Sequence, residues 1–459
     1  MSLQKIYSIL LVLSALCFTT AAILTAFPGT MLAKLTLVSG FLLLSVGIMG
    51  VSKLKKFSYT LWILSAVTLA MFYPEHLKTV GSFDLKLLIV PFIQITMFGM
   101  GSQMSFEDFK GVIKMPKGVI LGICCHFMVM PLAGFTLAHL FNFPTDIAAG
   151  VILIGCVSSA LASNVMSYIS GANLALAITI GAFSTIISPF ATPFLMKTLA
   201  GQYIQINILE MMVDITNMVI IPIVAGFIFN LFYFAKDSRR NVILQLLSFA
   251  IIIAGTNLVL MVSSGEGMHG FIYSFSKSML FFYFLPMLLA VVLKYFLKDN
   301  RPLIEKSFAF VAMMGIVVNT AIITASGRDN LIQVGGLLLL SCLIHNLVGL
   351  TLGYSVAWLF KMPERDCRTI AFEVGMQNGG IATGLALEMG KVATVGLAST
   401  IIGPLQNVTG SALANYFRSH PTKDKVRNTD NISLDKNNSF SMNIEEQVVE
   451  VDSMEEMQK

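Results

Sequence analysis

The chain has 459 residues, of which 56% are hydrophobic and only 12% are charged, and its mean hydropathy is +0.79. Soluble domains contain about 45–50% apolar and about 25% charged residues. The composition of this chain therefore excludes a soluble enzyme and a nucleic-acid-binding protein. The small net charge of +5 is no evidence for nucleic-acid binding. Long continuous apolar runs also exclude a β-barrel, whose strands alternate in polarity over about ten residues.

Apolar runs near the length of about 20 residues that crosses a bilayer predict fourteen transmembrane helices. The six cysteines lie in or beside these runs without a matching set of metal ligands, and no cofactor is expected. The predicted spans are 6–27, 31–51, 58–74, 85–102, 117–140, 145–168, 172–199, 208–233, 242–263, 274–297, 304–326, 331–360, 367–389 and 392–417.

The basic residues predict how these helices are oriented. Ahead of the C-terminal tail, 18 Lys and Arg residues fall on the side that carries both termini, and seven fall on the other side. Because basic loops stay in the cytoplasm, both termini are predicted to be cytoplasmic, in a cell (inner) membrane. Residues 419–459 are polar and predict a disordered cytoplasmic tail, since such a segment buries too little apolar surface to order itself.

An internal repeat relates the two halves of the chain. Residues 179–189 (TIGAFSTIISP) match residues 394–404 (TVGLASTIIGP) at seven of eleven positions, at an offset of 215 without a gap. That offset spans seven helices, so the two halves are predicted to have opposite orientations, as in the inverted repeats of secondary transporters. The predicted units are two extra helices in 1–57, a first repeat in 58–200, and a second repeat in 201–418 with helices inserted at about 242–297.

Residues 371–380 (AFEVGMQNGG) are the strongest candidate for a functional site. Glu373 is charged within a predicted span, which usually indicates function. Three glycines and two amides follow it and favour a broken helix, where carbonyl and amide oxygens can bind a cation and a helix N-terminus can face an anion. At the repeat offset, Ser163 and Asn164 fall opposite this stretch.

Two histidines and three acidic residues in or near predicted spans are further candidates. His126 and His345 lie inside predicted spans, where each is either a packed, hydrogen-bonded residue or a proton carrier. Glu210, Asp214 and Glu388 lie near helix ends, which favours an interfacial position.

Seven stretches together resemble the bile acid:sodium symporter family, as a bacterial-type member with extra transmembrane helices. They cover the chain from about Tyr59 to Arg418, and the pair ASNVMSY and EVGMQN is the most specific. The stretches are FGMGSQMSFEDFKGVIKMPKGV (98–119), HFMVMPLAGF (126–135), ASNVMSYISGANLALA (162–177), STIISPFATP (184–193), HNLVGLTLGY (345–354), EVGMQNGGIA (373–382) and QNVTGSALANY (406–416).

The resemblance implies an all-α fold of two inverted repeats that form a panel and a core, with two crossing broken helices in the core. It implies that Glu373 bridges two sodium sites and that Asn164 serves both cation and substrate. By the same resemblance, the first sodium site also uses Ser163, the second uses Gln377 and the carbonyls of Val374 and Met376, and Asn378 and Asn407 face the substrate.

Three departures from the family pattern predict altered coupling. Ala177 and Gly181 stand where the family has hydroxyls of the first sodium site, and His126 stands where it has a glutamine of the second. Ser158, Ser159 and Ala160 stand where the family's first broken helix usually opens with Pro-Gly-Gly. The resemblance implies sodium-coupled symport of an organic anion (bile acid-like, steroid-like or a small carboxylate) and no enzymatic activity. Proton coupling through Glu373 and His126, and a membrane sensor that binds a ligand without transport, remain as alternatives.

Overall fold

The computed structural model describes residues 3–25, 31–51, 58–102, 104, 113–233, 284–297 and 301–422. The predicted span 242–263, the first part of the span 274–297 and most of the predicted tail lie outside these residues. The helices of the first half are α1 (Leu3–Thr25), α2 (Met31–Gly47), α3 (Ser58–Phe72), α4 (Ile89–Gly101), α5 (Pro116–Leu140), α6 (Thr145–Cys156), α7 (Ala162–Ile169) and α8 (Leu174–Leu199).

In the first half, one short hairpin, β1 (Thr79–Val80) with β2 (Phe83–Asp84), lies between α3 and α4. The second half is helical as well. The remaining helices are α9 (Ile208–Ile215), a π turn (Thr216–Ile220), α10 (Ile221–Tyr233), α11 (Leu285–Leu297), α12 (Arg301–Ser326), α13 (Arg328–Leu359), α14 (Glu364–Gly375), α15 (Gly379–Glu388) and α16 (Leu397–Ser419).

The chain is a polytopic, integral membrane protein. Among the described residues, seven helices are long and apolar enough to cross a bilayer. Two predicted spans, 145–168 and 367–389, are not continuous helices but are each broken in the middle, into α6 and α7 and into α14 and α15. The predicted span 208–233 continues through the π turn.

Two groups of helices pack separately. In one group, α3 and α4 pack against α12, and α4 also packs against α10; in the other, α5 packs against α6, α8, α13 and α14. Glycines set the closest approach in the first group, because a Cβ on Gly101 or Gly226 would collide with the backbone of the facing helix at Ile223 or Phe98. The second group contains both broken helices.

Two glycine contacts in this second group are alike. A Cβ on Gly134 of α5 would lie 2.7 Å from the Val151 oxygen, and a Cβ on Gly353 of α13 would lie 2.9 Å from the Ile370 oxygen. Each member of the second pair lies 219 positions after its counterpart, whereas the matching stretches 179–189 and 394–404 are 215 positions apart.

Candidate functional site

The two broken helices meet at a crossing formed by 157–161, the first break, and 376–378, the second break. Each segment begins with an extended residue: Val157 has φ −81° and ψ 168°, and Met376 has φ −105° and ψ 120°. The Ala160 amide donates to the Met376 oxygen at 3.1 Å, and the Asn378 amide donates to the Ser158 oxygen at 2.9 Å. This short antiparallel ladder gives partners to backbone groups that the breaks free at membrane depth.

Two helix N-termini point at the crossing. Helix α7 begins directly after the first break and α15 directly after the second. The Asn378 side chain caps α15 by accepting a hydrogen bond from the Ile381 amide at 3.3 Å. Because a helix N-terminus carries partial positive charge, the crossing is suited to hold the negative group of a ligand.

Glu373 brings a carboxyl group into the crossing from the last turn of α14. Its side chain is completely buried, and the Ser163 hydroxyl of α7 donates to its Oε1 atom at 2.5 Å. Ser163 also lies 3.3 Å from the Ser159 hydroxyl of the first break. The predicted pair of Glu373 and Ser163, 210 positions apart in the chain, is therefore in direct contact.

Three buried oxygen atoms on residues at or beside the two breaks lack a hydrogen-bond donor among the described residues. They are Glu373 Oε2, Asn164 Oδ1 and Gln377 Oε1. All three are acceptors, and burying an acceptor without a partner is costly. A hard cation satisfies such oxygens by coordination, so this set has the chemistry of a cation site.

The two main-chain ligands predicted for the second sodium site already accept hydrogen bonds. The Val374 oxygen accepts from Gln377 Nε2 at 2.7 Å, and the Met376 oxygen accepts from the Ala160 amide. Each carbonyl has a second lone pair that remains available for a cation.

Gly181, which departs from the family pattern, lies at the site as well. A Cβ on Gly181 would lie 3.5 Å from Glu373 Oε2 and 4.0 Å from Asn164 Nδ2. A hydroxyl-bearing side chain at 181 would thus stand beside the two residues, whereas glycine contributes no ligand. Ala177, one turn earlier on α8, is fully buried, and its side chain has no polar atom either.

His126 joins the first break to the last turn of α14 through backbone oxygens. Its Nδ1 atom lies 2.9 Å from the Glu373 main-chain oxygen and its Nε2 atom 2.8 Å from the Val157 oxygen. The imidazole therefore contacts the main-chain oxygen of Glu373. It does not contact the Glu373 carboxylate, the group with which it would share a proton under proton coupling. A neutral imidazole has one N–H donor, so both contacts are hydrogen bonds only when the ring carries two protons.

Helices α16 and α13 supply side-chain amides that were not predicted as site residues. The Gln406 side chain accepts a hydrogen bond from the main-chain N–H of Gln377 at 2.8 Å and donates one to the main-chain oxygen of Gln377 at 2.9 Å. Asn346 of α13 donates to the Gly375 oxygen at 2.9 Å. The signal for both was present, since amide side chains inside predicted spans are rare and usually have partners. Asn407, predicted to face the substrate, is half-buried next to Gln406.

The remaining candidates lie away from the crossing or at the ends of helices. His345 is buried, its Nε2 atom contacts the Met130 oxygen at 3.0 Å, and its Nδ1 atom has no partner among the described residues. Glu210, Asp214 and Glu388 line a cavity of about 960 Å³ between α9 and α15.

Comparison with known proteins identifies relatives of this chain. Residues 90–269 match the model of the Sodium Bile acid symporter family. The chain is 28% identical to the "Uncharacterized sodium-dependent transporter YocS" of Bacillus subtilis (strain 168), over 82% of this chain and 96% of that protein. It is 28% identical to the "Probable sodium/metabolite cotransporter BASS1, chloroplastic" of Arabidopsis thaliana, over 71% of this chain and 65% of that protein.

A shorter match is closer in sequence. The "Probable sodium/metabolite cotransporter BASS6, chloroplastic" of Arabidopsis thaliana is 32% identical, over 37% of this chain and 41% of that protein. The resemblance predicted from the sequence motifs is confirmed by these matches. The relatives are named as transporters, which also confirms the prediction that the chain is not an enzyme.

Proposed function

The chain is related to the sodium bile acid symporter family, and we propose on that basis that it is a secondary active transporter that moves an organic anion together with sodium. The single observation that carries the proposal is the set of three buried oxygens at the crossing, Glu373 Oε2, Asn164 Oδ1 and Gln377 Oε1, which have no donor among the described residues. Sodium is a hard cation that oxygen ligands suit.

Sodium and the organic anion would bind on either side of the same crossing. Glu373, Asn164, Ser163 and Gln377, with the second lone pairs of the Val374 and Met376 carbonyls, would hold the cation. The substrate anion would lie against the N-termini of α7 and α15, near Asn378 and Asn407. Sodium bound first would offset the charge of Glu373 and so favour the anion.

The proposed stoichiometry is one sodium ion. Gly181 and Ala177 bring no hydroxyl to the first family site, and His126 holds two carbonyls in place of the family glutamine of the second. The donor set that remains is centred on one carboxylate. Proton coupling is the alternative, and one observation supports it: both ring nitrogens of His126 face carbonyl oxygens, which an imidazole that carries two protons would satisfy.

The proposed architecture has fourteen spans in two inverted repeats, 58–200 and 201–418, with two extra helices in 1–57 and insertions at about 242–297. Both termini would be cytoplasmic. The group that contains α3, α4, α10 and α12 would form the panel, and the group with the broken helices the core. Alternating access would move the core against the panel, so that water reaches the crossing first from one side and then from the other.

Thermal unfolding of the purified protein tests the cation site. The protein is titrated with sodium chloride against choline chloride at constant ionic strength, at pH 6 and at pH 8, for wild type, Glu373→Ala and the control Glu210→Gln. Glu210 is an exposed carboxylate outside the crossing. A ligand at ten times its Kd stabilises the folded state by about 1.4 kcal/mol.

We expect sodium to stabilise wild type and Glu210→Gln but not Glu373→Ala. A pH-dependent shift that Glu373→Ala removes, without any sodium effect, would replace sodium coupling by proton coupling. Equal sodium stabilisation of wild type and Glu373→Ala would contradict the proposed site.

A further inference from the structure

Four segments meet at one end of the helix group that contains the broken helices, and together they form a surface that we call the basic end. Contacts join these segments into one surface. Lys117 Nζ donates to the Phe360 oxygen at 2.8 Å, and Arg365 Nε donates to the Gly171 oxygen at 3.1 Å. The segments are 113–118, 170–173, 359–368 and 417–420.

The basic end carries more positive than negative charge. Its four segments contain six Lys and Arg residues and two acids, which leaves an excess of four positive charges. Both acids already have partners, since Glu364 is paired with Arg368 at 2.9 Å and Asp366 accepts a hydrogen bond from Asn173 at 2.8 Å. The basic end is therefore suited to bind an anionic partner.

Two lysines of the basic end are accessible to such a partner. Lys117 and Lys361 are exposed, and neither forms an ion pair with a carboxylate among the described residues. They lie near each other, because the Phe360 oxygen that Lys117 contacts belongs to the residue before Lys361. Like charges placed this near favour a negative group beside them.

Arg368 fixes the point at which the C-terminal tail leaves the basic end. Its guanidinium is buried and lies 4.5 Å from the centre of the Phe417 ring. It donates to the Phe417 oxygen at 3.0 Å and to the His420 oxygen at 2.8 Å. The end of α16 is thereby held on α14, so the residues that follow His420 start at the basic end itself.

The tail contains an acidic segment of complementary charge. Residues 445–456 (EEQVVEVDSMEE) contain six acids and no basic residue, and they lie outside the described residues. The 25 positions from His420 to Glu445 span about 25–30 Å on average in a disordered chain, which is two to three helix diameters of about 10 Å. A segment tethered at this distance has an effective concentration in the millimolar range, so even a weak contact is populated.

We propose that the acidic segment 445–456 binds the basic end at Lys117 and Lys361 as an intramolecular partner. This inference goes beyond the proposed function and does not depend on which ion or substrate is transported. Anionic lipid headgroups also bind basic helix ends. The acidic segment is favoured because it is tethered at this surface and its six carboxylates are linked, whereas each headgroup binds separately.

Zero-length crosslinking tests the contact directly. A carbodiimide joins carboxylates to amines that touch them, and peptide mass spectrometry of the full chain in phosphatidylcholine nanodiscs locates the bonds. We expect bonds from residues 445–456 to Lys117 and Lys361. The control is Lys34, an exposed lysine that lies across the membrane in the proposed architecture and should form none. In about 1 M choline chloride, where the Debye length is about 3 Å, the yield should fall at least about fivefold.

Lysine reactivity tests the contact without a crosslink. Wild type and a variant with a neutral segment are treated with a limiting amount of an acetylating reagent. If the contact is formed about half of the time, Lys117 and Lys361 should react about twofold faster in the variant, and Lys34 should react equally fast in both proteins. Equal rates at positions 117 and 361 would overturn the proposal. The variant combines Glu445→Gln, Glu446→Gln, Glu450→Gln, Asp452→Asn, Glu455→Gln and Glu456→Gln.

Other occupants of the basic end give different results. Bonds confined to lysines of the tail itself, or bonds between differently isotope-labelled copies of the chain, would overturn the proposal. Bonds that form in phosphatidylcholine nanodiscs but are lost in phosphatidylglycerol nanodiscs would also overturn it and would assign the basic end to lipid headgroups. Bonds retained in both would support it. The proposed function is decided separately, by sodium stabilisation.

Discussion

The two breaks at the crossing both begin with an extended residue, Val157 and Met376, but differ in chemistry. The first break, 157–161, contains no glycine and is supported by hydroxyls, since the Ser159 amide donates to Ser184 Oγ at 3.4 Å and Thr185 donates to Ser158 at 3.3 Å. The second break, 376–378, is flanked by glycines and supported by the Gln406 amide. Hydroxyl-rich and amide-rich sequences can therefore both satisfy a broken membrane helix.

The difference also divides the proposed cation site. The second half contributes the carboxylate of Glu373 and the Gln377 oxygen, while the first half contributes the neutral groups of Ser163 and Asn164. A site assembled in this way depends on one side chain that reaches across the crossing. The predictions below test that dependence and then the hydroxyl content of the first half.

Shortening the bridging side chain should have the largest effect. Glu373→Asp keeps the charge but withdraws it from Ser163, so the first half loses a hydrogen bond to a charged group. We expect the sodium affinity to fall by roughly 10- to 100-fold, measured as the sodium concentration for half-maximal stabilisation. Ser163→Ala is the matched variant, which removes the same hydrogen bond from the other side. An unchanged sodium affinity in Glu373→Asp would show that the cation does not need both halves.

Removing the imidazole between the breaks should affect stability next. His126→Ala leaves the main-chain oxygens of Glu373 and Val157 without this partner, which should destabilise the folded state by about 2–3 kcal/mol. His345→Ala is the control, because His345 has one main-chain contact, to Met130, and should cost less. Urea unfolding in detergent measures both. A smaller loss for His126→Ala than for His345→Ala would argue against the joining role.

Restoring a hydroxyl to the first half should have the smallest effect. Gly181→Ser places an oxygen beside Glu373 Oε2, where a Cβ fits at ordinary van der Waals distance, 3.5 Å. We expect the sodium affinity to rise by roughly 3- to 10-fold, as one added polar interaction gives. Gly181→Ala separates the effect of the hydroxyl from that of the methyl group. Equal sodium affinities of the two variants would contradict a cation next to position 181.

Helix positions and the pairing of Glu373 with Ser163 could be predicted from local sequence and the family motifs. The second break was visible because Gly375, Gly379 and Gly380 disfavour a continuous helix. The first break lacks glycine, and only the resemblance indicated it. Long-range contacts had no local signal: His126 binds backbone oxygens 31 and 247 positions away, and Gln94 reaches the Asn217 carbonyl across 123 positions.

The antiparallel ladder between the breaks fixes how the core can move. Because Ala160 bonds to Met376 and Asn378 bonds to Ser158, neither break can tilt without the other, and the oxygens around Glu373 keep their mutual distances. In the proposed transport cycle the ion would then experience the same coordination whether it arrives from outside or leaves toward the cytoplasm. The site would work as a reversible carrier without a built-in direction, and net flux would follow only from the ion and substrate gradients.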